Sequence, residues 1–341
     1  MNSGNHTIIG IDVGGTKIHG GLYEVQSAKC KVQSWKSNTP LEGGRGEFFV
    51  QNEEFILLRD EFVLTKAKEG IEVVLEQVVE MIGSLRREDT VSVGVGLPGQ
   101  VDHIRGLLYG TANIAYDGLL DLKDFFSSKI DLPMTFDNDA KLFTLAEFEL
   151  NQKPKGIQNM LGLTLGTGLG GGIVINGVPY RGTHGFAGEL GHMVVQVKSE
   201  KLKVKNGESE NVALSTEDFF SYEDVIASKG KDETRGKYLG MFIRGLLNAF
   251  DPQVIALGGA ISKRFDEFQG AMWEEIRKHK VEEAWKDLMI YPTQIEHPGT
   301  LGAAIVGMRL QSADPGTIPA LSTSTSPSFS SQNGLSTHFV R

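Results

Sequence analysis

The sequence predicts an internally duplicated α/β protein, on three observations. Two segments about 150 residues apart, "HTIIGIDVGGTKIHGGLYEV" and "NMLGLTLGTGLGGGIVINGVPY", both read as strand, glycine turn, strand. Each is followed by stretches whose apolar residues recur at helical spacing. A short run of β-branched and small apolar residues, "QVIALGG", has the length and flanks of a buried strand.

Taken in order, the first repeat gives two strands around "DVGGTK". Ile71, Val74, Leu75, Val78, Val79 and Ile82 then fall on one face of a helix. "TVSVGVGL" reads as a strand ended by Pro98-Gly99, and Leu142, Leu145, Ala146 and Leu150 mark a second helix. In the second repeat, Asn176-Gly177 supplies a hairpin turn. Leu239, Phe242, Ile243, Leu246, Leu247 and Phe250 give another helix, stopped by Asp251-Pro252 ahead of "QVIALGG". From Ser312 to Arg341 the chain is rich in serine, threonine and proline without an apolar period, and disorder is expected there.

Bulk properties exclude several classes. The length of 341 residues allows two domains, and 40% hydrophobic with 23% charged residues describes an ordinary soluble globular chain. A net charge of −9 argues against a broad nucleic-acid-binding face. An anionic small substrate stays possible, because backbone N–H groups cradle phosphates without net positive charge. The single cysteine, Cys30, cannot form an internal disulfide and fits a reducing compartment. "TIIGIDVGG" is too short and glycine-rich for a signal peptide or membrane span, so a cytoplasmic protein without membrane partners is expected.

"GTGLGGG" contains GxGxxG at Gly166, Gly168 and Gly171, but the alternating, β-branched "IVINGVPY" follows where a dinucleotide-binding turn needs a helix. No GxxxxGK[ST] loop occurs. The plain alternative is two tight hairpins in which glycine supplies positive φ, although five glycines exceed what a hairpin needs. The functional reading is two glycine turns facing each other across a cleft and offering N–H groups to phosphates. These are Gly14, Gly15, Thr16 and Lys17 in the first turn, and Gly166, Thr167 and Gly168 in the second. Asp12 beside such a cradle would repel phosphate unless a cation lay between them, so it is the candidate to hold Mg²⁺, through water. Otherwise it is a turn residue bonding its own backbone. Gly258-Gly259, at the carboxyl end of a buried strand, leaves room for a flat ring such as adenine.

Five motifs in order, "DVGGTK", "GVGLPGQVD", "DNDA", "LTLGTGLGGGIVINGVPYRGTHGFAGELGH" and "VIALGGAIS", resemble the ROK (repressor, open reading frame, kinase) family of the actin-like ATPase superfamily, and within it the bacterial glucokinases. The resemblance runs from Ile8 to Gln311. It implies an α/β fold of two actin-like (ribonuclease H-like) ATPase domains around a central cleft. Residues 1–137 with 299–311 would form the first and 138–298 the second, with the final helix "TLGAAIVGMRL" returning to the first. It also implies ATP with Mg²⁺ on the glycine turns, a hexose deeper in the cleft, and a homodimer. Against the family pattern, Pro40 to Glu61 is longer than usual and carries no functional assignment.

By the resemblance, Asp139 is the general base toward the sugar hydroxyl, and Asn138 bonds neighbouring hydroxyls. The residues themselves also read as helix caps, and one can cap while its neighbour faces the cleft. Gly99 and Asn113 would line the sugar pocket, or serve only as turn and loop residues. The family's GExGH motif is matched by Glu189 and His192, both implied sugar ligands, but the cysteine knuckle that follows is missing. In its place runs "KLKVKNGESENVAL", a hairpin pattern around Asn-Gly. One imidazole without thiolates makes no tetrahedral zinc site, and the spacing of His184 to His192 does not rescue one. No zinc site is therefore expected, and activity should survive a chelator once Mg²⁺ is restored. A core histidine with satisfied hydrogen bonds is the alternative for His192. The second sugar glutamate aligns with Glu217 across the remodelled loop.

The expected activity is ATP-dependent phosphorylation of a hexose, glucose first. N-acetylmannosamine, N-acetylglucosamine or fructose as acceptor, and polyphosphate as donor, stay open. The family's repressors carry a helix-turn-helix domain ahead of the first glycine turn, whereas here "GIDVGGT" begins at Gly10 and the chain is acidic, so a DNA-binding repressor is not expected. A non-catalytic sugar sensor is opposed by Asp12, Asp139, Thr167 and the two turns.

Overall fold

Strand β1 (His6–Val13) is apolar on both faces, as a strand covered on both sides must be. The computed structural model describes residues 6–27, 47–50, 53–111, 114–116, 118–166, 168–196, 213–215 and 231–312. In it β1 turns at Gly14 into the antiparallel β2 (Lys17–Ser27). β3 (Glu47–Val50) and β4 (Glu53–Leu64) extend this sheet beyond β2, so the long segment after Pro40 contributes two antiparallel strands, with β3 at the edge.

Helix α1 (Ile71–Leu85) buries Ile71, Val74, Leu75, Val78 and Ile82 of the predicted stripe, leaves Val79 half-buried, and adds Met81 and Leu85. It leads to β5 (Thr90–Leu97), parallel to β1. Three short strands, β6 (Val101–Asp102), β7 (Leu107–Leu108) and β8 (Leu120–Asp121), pair with one another, and α2 (Leu122–Ser127) leads to β9 (Met134–Asn138), parallel to β5. The first sheet thus runs β3-β4-β2-β1-β5-β9.

After α3 (Asp139–Glu147) and a π-helical turn at Phe148–Gln152, the plan repeats. β10 (Met160–Leu165) pairs antiparallel with β11 (Leu169–Ile175), which turns at Asn176-Gly177, both at positive φ, into β12 (Val178–Pro179). β13 (Val194–Gln196) and β14 (Ala213–Ser215) pair antiparallel. The expected hairpin between them lies at residues outside the described ones, as do the residues after Ser312. α4 (Lys231–Phe250) ends at Asp251-Pro252, and β15 (Val254–Gly258) runs parallel to β10. α5 (Phe265–Ile276) and β16 (Met289–Pro292), parallel to β15, complete a sheet of order β12-β11-β10-β15-β16. β2-β1-β5-β9 and β11-β10-β15-β16 share one pattern, antiparallel then parallel then parallel, which is the duplication read from the sequence.

Two helices join the sheets. α3 is buried on every side from Ala140 to Glu147 because both sheets cover it. Leu142, Leu145 and Ala146 pack with Ile8, Tyr23 and the helix α6 (Pro298–Ser312), while Phe143 packs with Met160 and Val174. Thr144 sits against Gly162 and Gly172, where a Cβ would come within 2.1 and 2.2 Å of its Oγ1. Part of the glycine richness of "LGLTLGTGLGGGIV" therefore serves close helix packing, at which an added methyl costs about 1–3 kcal/mol. α6 lies on the first sheet, with Tyr23 Oη 2.7 Å from Thr300 Oγ1 and Ser92 Oγ donating to Gly307 O at 2.9 Å.

Candidate active site

Ligands of open α/β sheets gather at the carboxyl ends of parallel strands. In the first sheet those ends carry Asp12 on β1, Pro98-Gly99 after β5, and Asn138-Asp139 at the junction of β9 and α3. The ladder aligns them, with Asp12 opposite Gly96 and Gly96 opposite Asp137.

The "DNDA" residues divide three tasks. Asp137 is 2% exposed, and its Oδ2 accepts a fork from Arg181, Nε at 2.9 Å and Nη2 at 2.7 Å. Asn138 caps α3, its Oδ1 accepting from Lys141 N at 3.1 Å, while its Nδ2 donates to Gly99 O at 3.0 Å. One Nδ2–H and one lone pair of Oδ1 remain for a ligand. Asp139 is the first residue of α3, and its Oδ1 accepts from Ala140 N at 2.8 Å. Capping therefore falls to Asn138 and not to Asp139.

Three carboxylates share this region. Burial pushes the Asp139 carboxyl up from 3.8 to about 7, and the negative charges of Asp12 and Glu189 add to the rise against a lowering Ala140 N–H. Burial also raises Asp12, from 3.8 to about 6, with Lys17 opposing. By surface area Asp12 and Asp139 are only half-buried, yet their carboxyl groups lie deep among protein atoms. A half-ionised carboxyl at neutral pH is suited to taking up a proton. A close pair of carboxylates with oxygen-only donors fits Mg²⁺, and Asp12 is the residue that would hold it.

The first glycine turn is fixed from both sides. Gly14 N donates to Lys17 O at 3.0 Å, and Thr65 binds it twice, Oγ1 to Gly14 O at 2.7 Å and N to Thr16 O at 3.0 Å. Thr16 and Lys17 are exposed. In the second turn nothing lies within 4 Å of the Cβ that Gly166 lacks, so the space beside its Cα is empty. Gly166 N donates to Gly168 O at 3.0 Å. Thr167 lies outside the described residues. The adenine reading of Gly258-Gly259 needs correcting at its first member. Gly258 is buried, and the Phe143 ring already occupies the space in front of it, 2.6 Å from where a Cβ would be. Only Gly259, exposed and at φ 79°, is left at the surface.

Glu189 is 22% exposed, with Oε1 3.6 Å from Lys141 Nζ and Oε2 3.9 Å from His192 Nε2. The His192 side chain is 58% exposed, so it is not a core histidine. Gly99, at φ 108°, approaches Gly110 so closely that a Cβ would stand 2.1 Å from its carbonyl oxygen. Asn113 and Glu217 lie outside the described residues.

Sequence reasoning missed Lys141, whose side chain is 5% exposed and whose Nζ donates to Gly185 O at 2.5 Å. The available signal was a lysine among apolar residues in "DAKLFTLA". It also missed Arg181, and His103, whose Nδ1 is buried without a hydrogen-bond partner. No spacing rule links either to Asp137.

The chain matches the ROK family model over residues 41–213. It is 31% identical to a glucokinase of Halalkalibacterium halodurans over 53% of this chain and 64% of that protein. It is 30% identical to an N-acetyl-D-glucosamine kinase of Mannheimia succiniciproducens over 62% of this chain and 79% of that one, and 29% identical to a xylose repressor of Bacillus spizizenii over 50% and 48%. A ROK family glucokinase from Streptomyces griseus, solved with glucose and AMPPNP, superposes with TM-score 0.63 at 21% identity, covering 89% of this chain and 99% of that one. A polyphosphate/ATP-glucomannokinase from an Arthrobacter strain superposes with TM-score 0.56 at 23% identity, over 90% and 100%. These likenesses establish the α/β fold of two actin-like ATPase domains around a cleft. With the five motifs in order, the repeated sheet and the family match, this chain belongs to the ROK family.

Proposed function

We propose that the protein is an ATP-dependent sugar kinase that phosphorylates a hexose, glucose to glucose 6-phosphate in the first instance. The observation that carries this reading is Asp139, first in α3 at the end of β9, with its carboxyl raised to about 7 beside Asp12 and Glu189. In the reaction, the sugar hydroxyl gives its proton to the Asp139 carboxylate while its oxygen bonds to the γ-phosphorus. The bond from that phosphorus to the bridging oxygen breaks, releasing ADP.

Asn138 and Glu189 bind neighbouring hydroxyls in this reading, with Gly99, His192 and, across the loop, Asn113 and Glu217 completing the pocket. Lys141 holds Glu189 in position. The triphosphate lies between Gly14–Lys17 and Gly166–Gly168, with the base stacked toward Gly259. Asp12 would hold Mg²⁺, which would neutralise charge on the transferring phosphoryl group. Residues 1–137 with 299–311 and residues 138–298 act as the two closing lobes, in a cytoplasmic homodimer.

A panel of glucose, N-acetylglucosamine, N-acetylmannosamine and fructose, assayed by ADP release with ATP and in parallel with polyphosphate, tests the proposal. Glucose with ATP should give the highest kcat/KM. No turnover with any sugar would leave a sugar-binding protein without catalysis. Preference for N-acetylglucosamine would keep the chemistry and change the acceptor, as the Mannheimia relative allows.

A further inference from the structure

The nucleotide and sugar readings do not use His19, Asp60 and His297, which come from three distant parts of the chain. His19 lies on β2, two residues beyond Lys17. Asp60 lies on β4 opposite Gly21, so it is the diagonal neighbour of His19 on one sheet face. His297 closes the link from β16 to α6. One ligand-capable atom from each lies within 4.8 Å of the other two.

The individual distances discriminate between simple packing and a metal site. His19 Nε2 is 3.4 Å from Asp60 Oδ2, and His297 Nε2 is 3.9 Å from the same oxygen. A hydrogen bond between such atoms centres on about 2.9 Å. Two ligand atoms each about 2.0–2.1 Å from one tetrahedral ion stand about 3.3 Å apart. The imidazole centroids are 3.9 Å apart at 81°, closer than the roughly 4.5–7 Å of ordinary aromatic pairs. Both rings turn a nitrogen toward the same carboxylate oxygen. Glu296 Oε1 stands 3.9 Å from His297 Nε2 but is not one of the three mutually close donors, so the fourth position falls to water. The nearby cation, Lys17, has its Nζ 5.8 Å from the Phe62 ring centroid.

We propose that His19, Asp60 and His297 bind a single divalent transition-metal ion of the zinc type, fastening the β16–α6 link to the first sheet. Two imidazoles and a carboxylate are a donor set that selects zinc-like ions over Mg²⁺. The site is separate from the Glu189–His192 motif at which zinc is not expected, and it does not depend on the kinase reading. Its role is structural, since the ion would tie strands of one sheet to the segment entering from the other.

The test uses the tag-free full chain, stripped with chelator and titrated with Co²⁺ by visible absorption, then with competing Zn²⁺. The expected result is one ion per chain with tetrahedral Co²⁺ bands, and a Zn²⁺-dependent rise in melting temperature. Asp60→Asn and His297→Gln, both at partly exposed side chains, should each weaken Zn²⁺ binding by more than about 100-fold while retaining the unliganded melting temperature. His192→Gln should leave binding unchanged. Absence of stoichiometric binding in the parent chain overturns the proposal, as does binding that survives both variants or is lost in His192→Gln.

Discussion

Replacing Asp139 by Asn separates catalysis from stability, with effects of opposite sign. Asparagine keeps an oxygen for the Ala140 N–H bond and removes the charge. In the folded chain the Asp139 carboxyl is raised from 3.8 to about 7, chiefly by burial. At about 1.4 kcal/mol per tenfold change, ionising it there costs on the order of 4 kcal/mol more than in the open chain. The stabilising effect of the raised value is complete below the unfolded value and is lost as pH rises through about 7. Asp139→Asn escapes that loss. It should therefore gain about 4 kcal/mol relative to the parent at pH 8, roughly 1–2 kcal/mol at pH 5 and little at pH 3, read by denaturant melts at the three values. Turnover should fall about 10²–10⁴-fold, the range for a lost general base. The parent's kcat/KM should drop on the acid side of about pH 7, and the variant should lack that limb. Near-normal turnover, or an unchanged acid limb in Asp139→Asn, would refute the assignment of the base.

Asp12→Asn removes both a cation ligand and a negative neighbour of Asp139. The Mg²⁺ concentration for half-maximal rate should rise, and the residual acid limb should move to lower pH in the rate profile. Lys141→Met keeps the buried stem but removes the Nζ that faces Glu189, so the sugar KM should rise about 10–100-fold with a smaller change in KM for ATP. Gly166→Ala meets no protein atom within 4 Å and should leave the melting temperature unchanged while raising KM for ATP. An unaltered KM would remove that turn from the phosphate site. Arg181→Ala strands the buried Asp137 carboxylate and should cost about 3–5 kcal/mol in a denaturant melt.

Much of the scaffold was legible because local rules decide it. The α1 stripe, the stop at Asp251-Pro252 and the Asn176-Gly177 turn each follow from a few neighbouring residues. The glycine turns were legible as turns, but the purpose of each glycine was not. Gly172 and Gly258 look alike in sequence to glycines that face a ligand. What sets them apart is that Thr144 and Phe143 of α3 press on them from another part of the chain. Lys141 was hidden for a related reason. A lysine in a first helical turn ordinarily points to water, and only the loop carrying Gly185 and Glu189 turns it into a buried donor.

The missing cysteine knuckle makes that lysine consequential. In the family pattern, zinc and its cysteines brace the loop that presents the sugar-binding histidine and glutamate. This chain has no cysteine near that motif in sequence, yet under the proposed kinase reading Glu189 has to be held at one distance from Asp139 for a hydroxyl to fit between them. Lys141 reaches the loop from α3, the same helix that begins with Asp139, with Nζ 2.5 Å from Gly185 O and 3.6 Å from Glu189 Oε1. In that reading base and sugar ligand are both referenced to one helix, through residues two positions apart. If that brace replaces the metal, Lys141→Met should lose sugar affinity in a way that added Zn²⁺ does not restore. Recovery of KM with Zn²⁺ in Lys141→Met would place the brace elsewhere.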